Sequence, residues 1–206
     1  MRKLTHKELV GRQQNQSSEK LPFTAVLNNI RSLYNVGSIF RTADGIGIEK
    51  LWLCGITGTP ESERERIEKT ALGAEKTVPW EHRSETLPLL RELRQNGYQV
   101  VLLEQTHQSV PYQEFIPRFP VCLVLGNEIN GVSDELLSLC DAAIEIEMAG
   151  LKNSLNVTVA FGIIAYHLRN CLRLSLRANE VSEAISEIAS ALHGPLPRND
   201  GKGQSR

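Results

Sequence analysis

The stretch Val121-Cys122-Leu123-Val124-Leu125-Gly126-Asn127-Glu128-Ile129-Asn130-Gly131 decides how this chain is read. Five apolar residues run without a polar break, the pattern of a strand buried on both faces. A polar loop flanked by glycines follows at once. Glycine lets backbone amides and carbonyls come close to a ligand. Open α/β sheets hold ligands beyond the carboxyl ends of their strands, so residues 126–131 are a candidate site.

Working outward, the same short apolar pattern recurs at 23–27, 51–54, 98–103 and 142–146. Between these runs the spacing predicts helices over about 36–46, 86–95 and 134–140. Gly97 stands as the C-cap of the second, and Ser133 as the N-cap of the third. Strands alternating with helices predict an α/β fold, a mostly parallel sheet covered by helices on both faces. Residues 155–172 are different, because Val157, Val159, Phe161, Ile163 and Ile164 leave almost no polar face. A helix apolar all round packs inside the core or against a second subunit, and both readings stay open. Residues 179–192 read as a further amphipathic helix with Val181, Ile185, Ile188 and Leu192 on its stripe. Residues 1–21 form a basic extension, and 194–206 a disordered tail.

Two more polar islands accompany the first: Asn35-Val36-Gly37-Ser38-Ile39-Phe40-Arg41-Thr42-Ala43 and Ser154-Leu155-Asn156-Val157. Asn35 stands at the head of a helix, where capping is its ordinary role. Arg41 lies about one and two-thirds turns later, on another part of the surface. Its apolar neighbours Ile39, Phe40 and Ala43 argue against a merely decorative charge. A guanidinium fork suits phosphate or carboxylate. Ser154 can cap the long helix. Asn156 sits in an apolar run, and a buried amide needs partners.

Composition narrows the class. The 206 residues are 41% hydrophobic and 23% charged, ordinary globular usage for one domain. No apolar run approaches the roughly 20 residues that span a bilayer. The N-terminus has no secretory pattern, and the expected location is the cytoplasm. Cys54, Cys122, Cys140 and Cys171 are widely separated, which suits reduced thiols and gives no zinc spacing; no metal is expected. The net charge of −1 hides an asymmetry. Residues 1–20 carry five basic and two acidic side chains, and residues 194–206 three and one, so the remainder stands near −6. Basic arms on an acidic core fit a polyanion held by the ends, and equally fit solvated tails.

A dinucleotide fold fails its test. Gly45-Ile46-Gly47 precedes a strand instead of following one, and Lys50 stands where the third glycine belongs. The Walker loop and the Gly-x-Ser-x-Gly elbow are also absent. The order and wording of the islands point elsewhere. Asn-x-Gly-x-x-x-Arg-Thr-Ala, Gly-x-Glu-x-x-Gly-Val-Ser and Met-x-Gly-x-x-x-Ser-Leu-Asn-Val closely resemble the three motifs of the SpoU (TrmH-like) RNA 2′-O-ribose methyltransferases, a branch of the SPOUT superfamily. The resemblance covers about 22–172 and includes Lys69-Thr70-Ala71-Leu72-Gly73-Ala74.

The resemblance implies a fold whose C-terminal part is threaded into a trefoil knot, with the methyltransferase domain over 22–175, a C-terminal helix over 176–193 and a homodimeric protein. It implies S-adenosyl-L-methionine as cofactor, held by Leu103, Glu104, Gly126, Asn127, Gly131, Ile146, Met148 and Leu155. It places the catalytic arginine at Arg41, its orienting asparagine at Asn35, and the other motif residues at Glu128, Ser154 and Asn156. Glu147 stands where relatives carry proline before the methionine. The implied reaction is methylation of a ribose 2′-hydroxyl. A free guanidinium holds its proton far above neutral pH. Arg41 is therefore either a base perturbed by phosphate and Asn35, or a cation that stabilises the forming alkoxide. The implied partner is structured RNA, with Lys3, Lys7, Arg12, Arg198 and Lys202 expected as further contacts. No RNA-binding domain of ordinary size precedes the first strand, which tilts the expectation from rRNA towards tRNA. A non-catalytic RNA-binding or ribosome-assembly factor is the rival reading.

Overall fold

The computed structural model describes residues 1–5, 7–8, 11, 20–127 and 131–192. The chain divides into two compact units, Met1–Arg169 and Asn170–Arg206. The first unit opens with β1 (Leu21–Asn28), α1 (Leu33–Ile46), β2 (Ile48–Cys54), α2 (Arg64–Ala71) and β3 (Trp80–Arg83). It continues with α3 (Thr86–Gln95), β4 (Gln99–Leu103), β5 (Val110–Pro111), β6 (Val121–Leu125), α4 (Asp134–Leu137) and β7 (Ala142–Glu145). The last helix, α5 (Val157–Leu192), begins in the first unit and runs on into the second.

Among the described residues, seven strands form one sheet in the order β3-β2-β1-β6-β4-β7-β5. Every pairing is parallel. The chain therefore starts at the middle, runs out to β3, and crosses to β4 on the other side. Later strands fill gaps: β6 lies between β1 and β4, and β7 between β4 and β5. All five residues of β6 are buried, as its unbroken apolar run demands.

Period-two alternation divides the core between the two faces. Val26, Trp52, Val100, Leu102 and Val124 pack with Leu89, Leu90 and Leu93 of α3 and Leu136 of α4. Ala25, Leu27, Leu51, Leu53 and Leu123 point the other way and are also fully buried. There α1 supplies Val36, Ile39, Phe40 and Ala43, and α5 supplies Phe161, Ile164, Ala165 and Leu168, all without exposed surface. Both sets follow the spacing of one helix face. The Arg169 guanidinium donates to the Gly45 carbonyl at 2.9 Å, fastening α5 to the end of α1.

Several sequence expectations change in detail. Gly45-Ile46-Gly47 is the close of α1, with Gly47 left-handed at φ 71° as its cap. Helix α2 is not evident from the sequence, because Arg-Glu-Arg-Ile-Glu-Lys-Thr-Ala buries only Ile67 and Ala71. Residues 155–172 and 179–192 are not two helices. The linking residues 173–178 contain neither glycine nor proline, and α5 continues through them, so no break falls at 176. Of its first turns, Val159 and Tyr166 remain about half exposed.

Helix α1 is seated on α2 through one glycine. A Cβ on Gly37 would overlap Thr70 Oγ1 and the Ile67 carbonyl oxygen. Alanine in a helix gains up to about 1 kcal/mol over glycine, but overpacking against backbone costs about 1–3 kcal/mol. Gly37→Ala is expected to lower stability by about 1–2 kcal/mol by this balance. Urea denaturation reads this as a lower midpoint at an unchanged slope; an unchanged or raised midpoint contradicts the close packing.

Candidate active site

The carboxyl ends of β1, β2 and β3 are fixed before any ligand arrives. Buried Thr57 accepts from the Ile30 amide at 3.0 Å and donates to the Leu27 carbonyl at 2.8 Å. Asn28 Oδ1 accepts from Thr86 Oγ1 at 2.6 Å. Asn29 takes a left-handed conformation at φ 59°, and its Oδ1 accepts from the Ile56 amide at 3.1 Å. A short polar side chain tolerates that backbone best. Asn127 then donates its side-chain amide to the Asn29 carbonyl at 2.8 Å, tying the β6 loop to the end of β1.

This anchored turn delivers α1. Ser32, not Asn35, is its N-cap and accepts from the Asn35 amide at 3.3 Å. The Asn35 side chain turns instead towards the start of α5, where its Oδ1 accepts from Asn156 Nδ2 at 3.3 Å. Asn156 itself precedes the first turn of α5, and its Oδ1 accepts from the Thr158 amide at 2.9 Å and Thr158 Oγ1 at 2.6 Å. The cap is therefore Asn156 and not Ser154, and Asn156 is exposed, not buried. One side chain starts α5 and joins it to α1 across 121 positions of sequence.

Beside this junction a cleft of about 1490 Å³ opens along the ends of β4, β6 and β7. Leu103, Glu104, Gly126, Asn127, Gly131, Ile146 and Leu155 line it, as do Ser154 and Asn156. Asn127 and Gly131 exchange both backbone hydrogen bonds, at 3.1 and 2.9 Å, closing the base of the loop. A Cβ on Gly131 would stand 2.8 Å from Glu104 Oε2, so glycine there leaves room for a carboxylate against the loop. Gln105 donates to the Asn153 carbonyl at 2.9 Å, and Ser109 to Glu145 at 2.6 Å. These bonds tie the loop after β4 to the chain around β7.

Residues 22–166 match the family model described as SpoU rRNA Methylase family. The chain belongs to the SpoU rRNA Methylase family. It is 34% identical over 139 residues to a tRNA (guanosine(18)-2'-O)-methyltransferase of Aquifex aeolicus, spanning 68% of this chain and 64% of that relative. The chain thus covers just under two thirds of that relative's length. Its fold is similar to the crystal structure of the A. aeolicus TrmH/SpoU tRNA modifying enzyme, with TM-score 0.71, 29% identity and coverage of 82% and 84%. It is also similar to an AdoMet-bound rRNA methyltransferase from Sinorhizobium meliloti, with TM-score 0.68, 30% identity and coverage of 76% and 59%.

Within this SpoU-family chain, the expected site residues are not all in one place. Met148 is half-buried but does not line the cleft, and Glu147 beside it is exposed. Arg41 does not line the cleft either. It points outward while Ile39, Phe40 and Ala43 point into the core, about 9 Å along the helix axis from Asn35 by the helical rise. Lys3 and Lys7 are exposed. Glu128, Arg12, Arg198 and Lys202 lie outside the described residues. Glu145, Gln105 and Asn153 were not singled out from sequence; the polar residues closing two of the strand runs were the available signal.

The cleft lining has a definite electrostatic sign. Glu104 and Glu145 contribute carboxylates, Asp141 adds a third that is paired with Arg94 at 3.0 Å, and no lysine or arginine lines it among the described residues. That suits a cationic ligand with an apolar body, not a pyrophosphate. Cys140 also lines it, but burial pushes its thiol up to about 11, so it is protonated and poorly nucleophilic near neutral pH. Among the described residues no group of three or more His, Cys, Asp and Glu is set to hold a metal, and no helix is long and apolar enough to cross a membrane.

The double role of Asn156 separates two variants. Asn156→Asp keeps the capping acceptor and loses the donor to Asn35, whereas Asn156→Ala loses both. The cap contributes about 1 kcal/mol, so thermal denaturation should place the Asp variant near wild type and the Ala variant clearly below it. Equal loss in both would remove the cap from the account.

Proposed function

We propose that this chain transfers the methyl group of S-adenosyl-L-methionine to a ribose 2′-hydroxyl of structured RNA, with tRNA favoured over rRNA. The Asn156–Asn35 hydrogen bond carries the reading, because it sets the helix bearing Arg41 against the rim of the cleft. The cofactor fits the residues present. Carboxylates face a ligand that carries a sulfonium and an ammonium, and Leu103, Leu125, Ile146 and Leu155 offer apolar walls to an adenine. Gly126 brings the loop backbone in closely, since a Cβ there would meet the Gly131 carbonyl carbon at 2.9 Å.

When bound, this cofactor supplies an electrophilic methyl group, and attack by the ribose 2′-oxygen leaves the bonding pair on sulfur. The chain supplies position and charge. Glu104, Gly126, Asn127 and Gly131 orient the donor, Ser154 and Asn156 line the same cleft, and Glu128 is the motif residue of the sequence between Asn127 and Gly131. Arg41 touches the reacting nucleotide and either takes the 2′-hydroxyl proton or stabilises the oxygen as that proton leaves. Asn35 holds the geometry between the two. Holding the hydroxyl in line with the methyl carbon is worth several kcal/mol on its own.

The wider reading follows from the same family. Two copies pair as a homodimer, which the half-exposed Val159 and Tyr166 of α5 and Tyr34 of α1 support. The C-terminal part of the domain is knotted, which the late insertion of β6 and β7 between earlier strands supports. Lys3, Lys7, Arg12, Arg198 and Lys202 grip RNA that an acidic core would otherwise repel, and the reaction takes place in the cytoplasm. The tRNA-modifying relatives support the choice of substrate.

Arg41→Ala should lower kcat for methyl transfer by at least about 100-fold, the usual range for losing a positioned proton or charge partner. Its Kd for S-adenosylmethionine by calorimetry should remain that of the wild type. Near-normal turnover in this variant would refute both versions of the Arg41 role, and preferential binding of NAD by the wild type would refute the cofactor.

A further inference from the structure

A second hollow, of about 830 Å³, lies on the same edge of the sheet as the cofactor cleft, at the carboxyl ends of β1, β2 and β3. Asn127, Gly131 and Val132 line both, so one loop forms a wall of each. The volume is ample for a nucleotide. Methyl transfer, as derived from the cleft, makes no use of it.

The most buried polar residue in its lining is Asn28, which is 7% exposed. The direction of its side-chain amide is fixed by its neighbours. The Ile56 backbone N–H can only donate, and it donates to Asn29 Oδ1 at 3.1 Å. Asn29 Nδ2 is therefore the atom turned to Asn28, and it donates to Asn28 Oδ1 at 3.3 Å. Thr86 Oγ1 donates to the same oxygen at 2.6 Å. Asn28 Oδ1 is thus used twice, while Asn28 Nδ2 has no partner among the described residues. A buried donor without an acceptor is destabilising, and a ligand that accepts from it is favoured.

The rest of the lining selects what accepts. Thr86 and Leu87 open α3, whose N-cap Glu85 gives it no side-chain bond, so the helix end adds further donors. Leu87, Pro88, Val132 and Leu136 add apolar surface. Formal charge stands only at exposed positions, on Arg31 and Glu85. A phosphate at Asn28 would exchange its hydration for a neutral amide and apolar side chains, with no buried cation beside it, which is unfavourable. A flat base with a carbonyl oxygen loses far less. Bases differ at the edge farthest from the sugar: guanine and uracil present a carbonyl oxygen there, adenine and cytosine an amino group. Asn28 Nδ2 can bond the first pair and opposes the second.

We propose that this hollow is a base-selective subsite for the substrate RNA. A guanine or uracil enters edge first, its carbonyl oxygen accepts from Asn28 Nδ2, and the exposed Arg31 guanidinium holds the attached phosphate. That the base belongs to RNA rests on the methyl-transfer reading. The preference for a carbonyl edge rests on the Asn28 amide alone.

Titration of the isotope-labelled full chain, followed by NMR at the Asn28 side-chain amide, tests it; the signal is assigned by its absence from Asn28→Asp. GMP and UMP are expected to shift that signal saturably, whereas AMP and CMP at the same concentrations leave it in place. Saturating S-adenosylmethionine should not displace GMP. Equal shifts with all four nucleotides, or a shift with inorganic phosphate alone, would overturn the proposal. So would displacement of GMP by S-adenosylmethionine, which would make the hollow an arm of the cofactor cleft, and so would the absence of any shift. Asn28→Asp keeps the oxygen that Thr86 and Asn29 bond and removes the outward donor. With its melting temperature showing an intact fold, it should bind GMP about 10-fold more weakly, the loss of one hydrogen bond to a buried group. Undiminished binding would remove Asn28 from the site. Arg31→Ala should weaken GMP and spare guanosine; equal affinity for GMP would take the phosphate away from Arg31. Loss of methyl transfer to tRNA with GMP still seated at Asn28 would refute the reaction and not this subsite.

Discussion

Every strand pairing in this sheet is parallel, and that constraint carries the rest. Parallel strands finish on one edge, so the turns after β1, β4, β6 and β7 arrive together although 117 positions of sequence separate the ends of β1 and β7. Parallel strands also require cover on both faces, which α3 and α4 supply on one side and α1 and α5 on the other. The helices that satisfy burial are thereby the helices that approach the site. Burial at β6, whose five residues are all inaccessible, and the placement of the loop that follows it are two results of one arrangement.

Backbone ends gathered on one edge leave many polar groups to satisfy, and side chains meet part of that demand. Thr57, Thr86 and Asn127 hold the end of β1 from two loops and the start of α3. The result is a stiff floor beneath two regions of opposite sign. The cleft carries carboxylates and no described lysine or arginine, while Arg41 faces outward on the neighbouring helix. A cationic methyl donor and a polyanionic substrate need that separation. Asn35 and Asn156 stand at the boundary.

The sequence made the centre of this structure readable and its margins obscure. Strands β1, β2, β4, β6 and β7 announce themselves because burial on two faces forces unbroken apolar runs. Strand β3, Trp-Glu-His-Arg, lies at the sheet edge and is only partly buried, so its sequence carries no such run. Two-residue β5 gives even less. Helix α2 needs only Ile67 and Ala71 to hold its place, too few to make a visible stripe. At the site, the residue types were legible and their local roles were not. A side chain near a helix start can cap it or look elsewhere, and only the path of the backbone assigns Ser32 to α1 and Asn156 to α5. The outward direction of Arg41 follows from helical phase; its distance from the cleft lining needed the fold.

The central claim is that the edge shared by these loops brings a methyl donor and a ribose together. The most direct measurement incubates the purified full-length chain with unmodified tRNA and S-adenosylmethionine carrying an isotopically labelled methyl group. The RNA is then digested to nucleosides for mass spectrometry. The account predicts the label on a 2′-O-methylated ribose. Label confined to a base, or no label in tRNA or rRNA while the chain binds both RNA and S-adenosylmethionine, would contradict it.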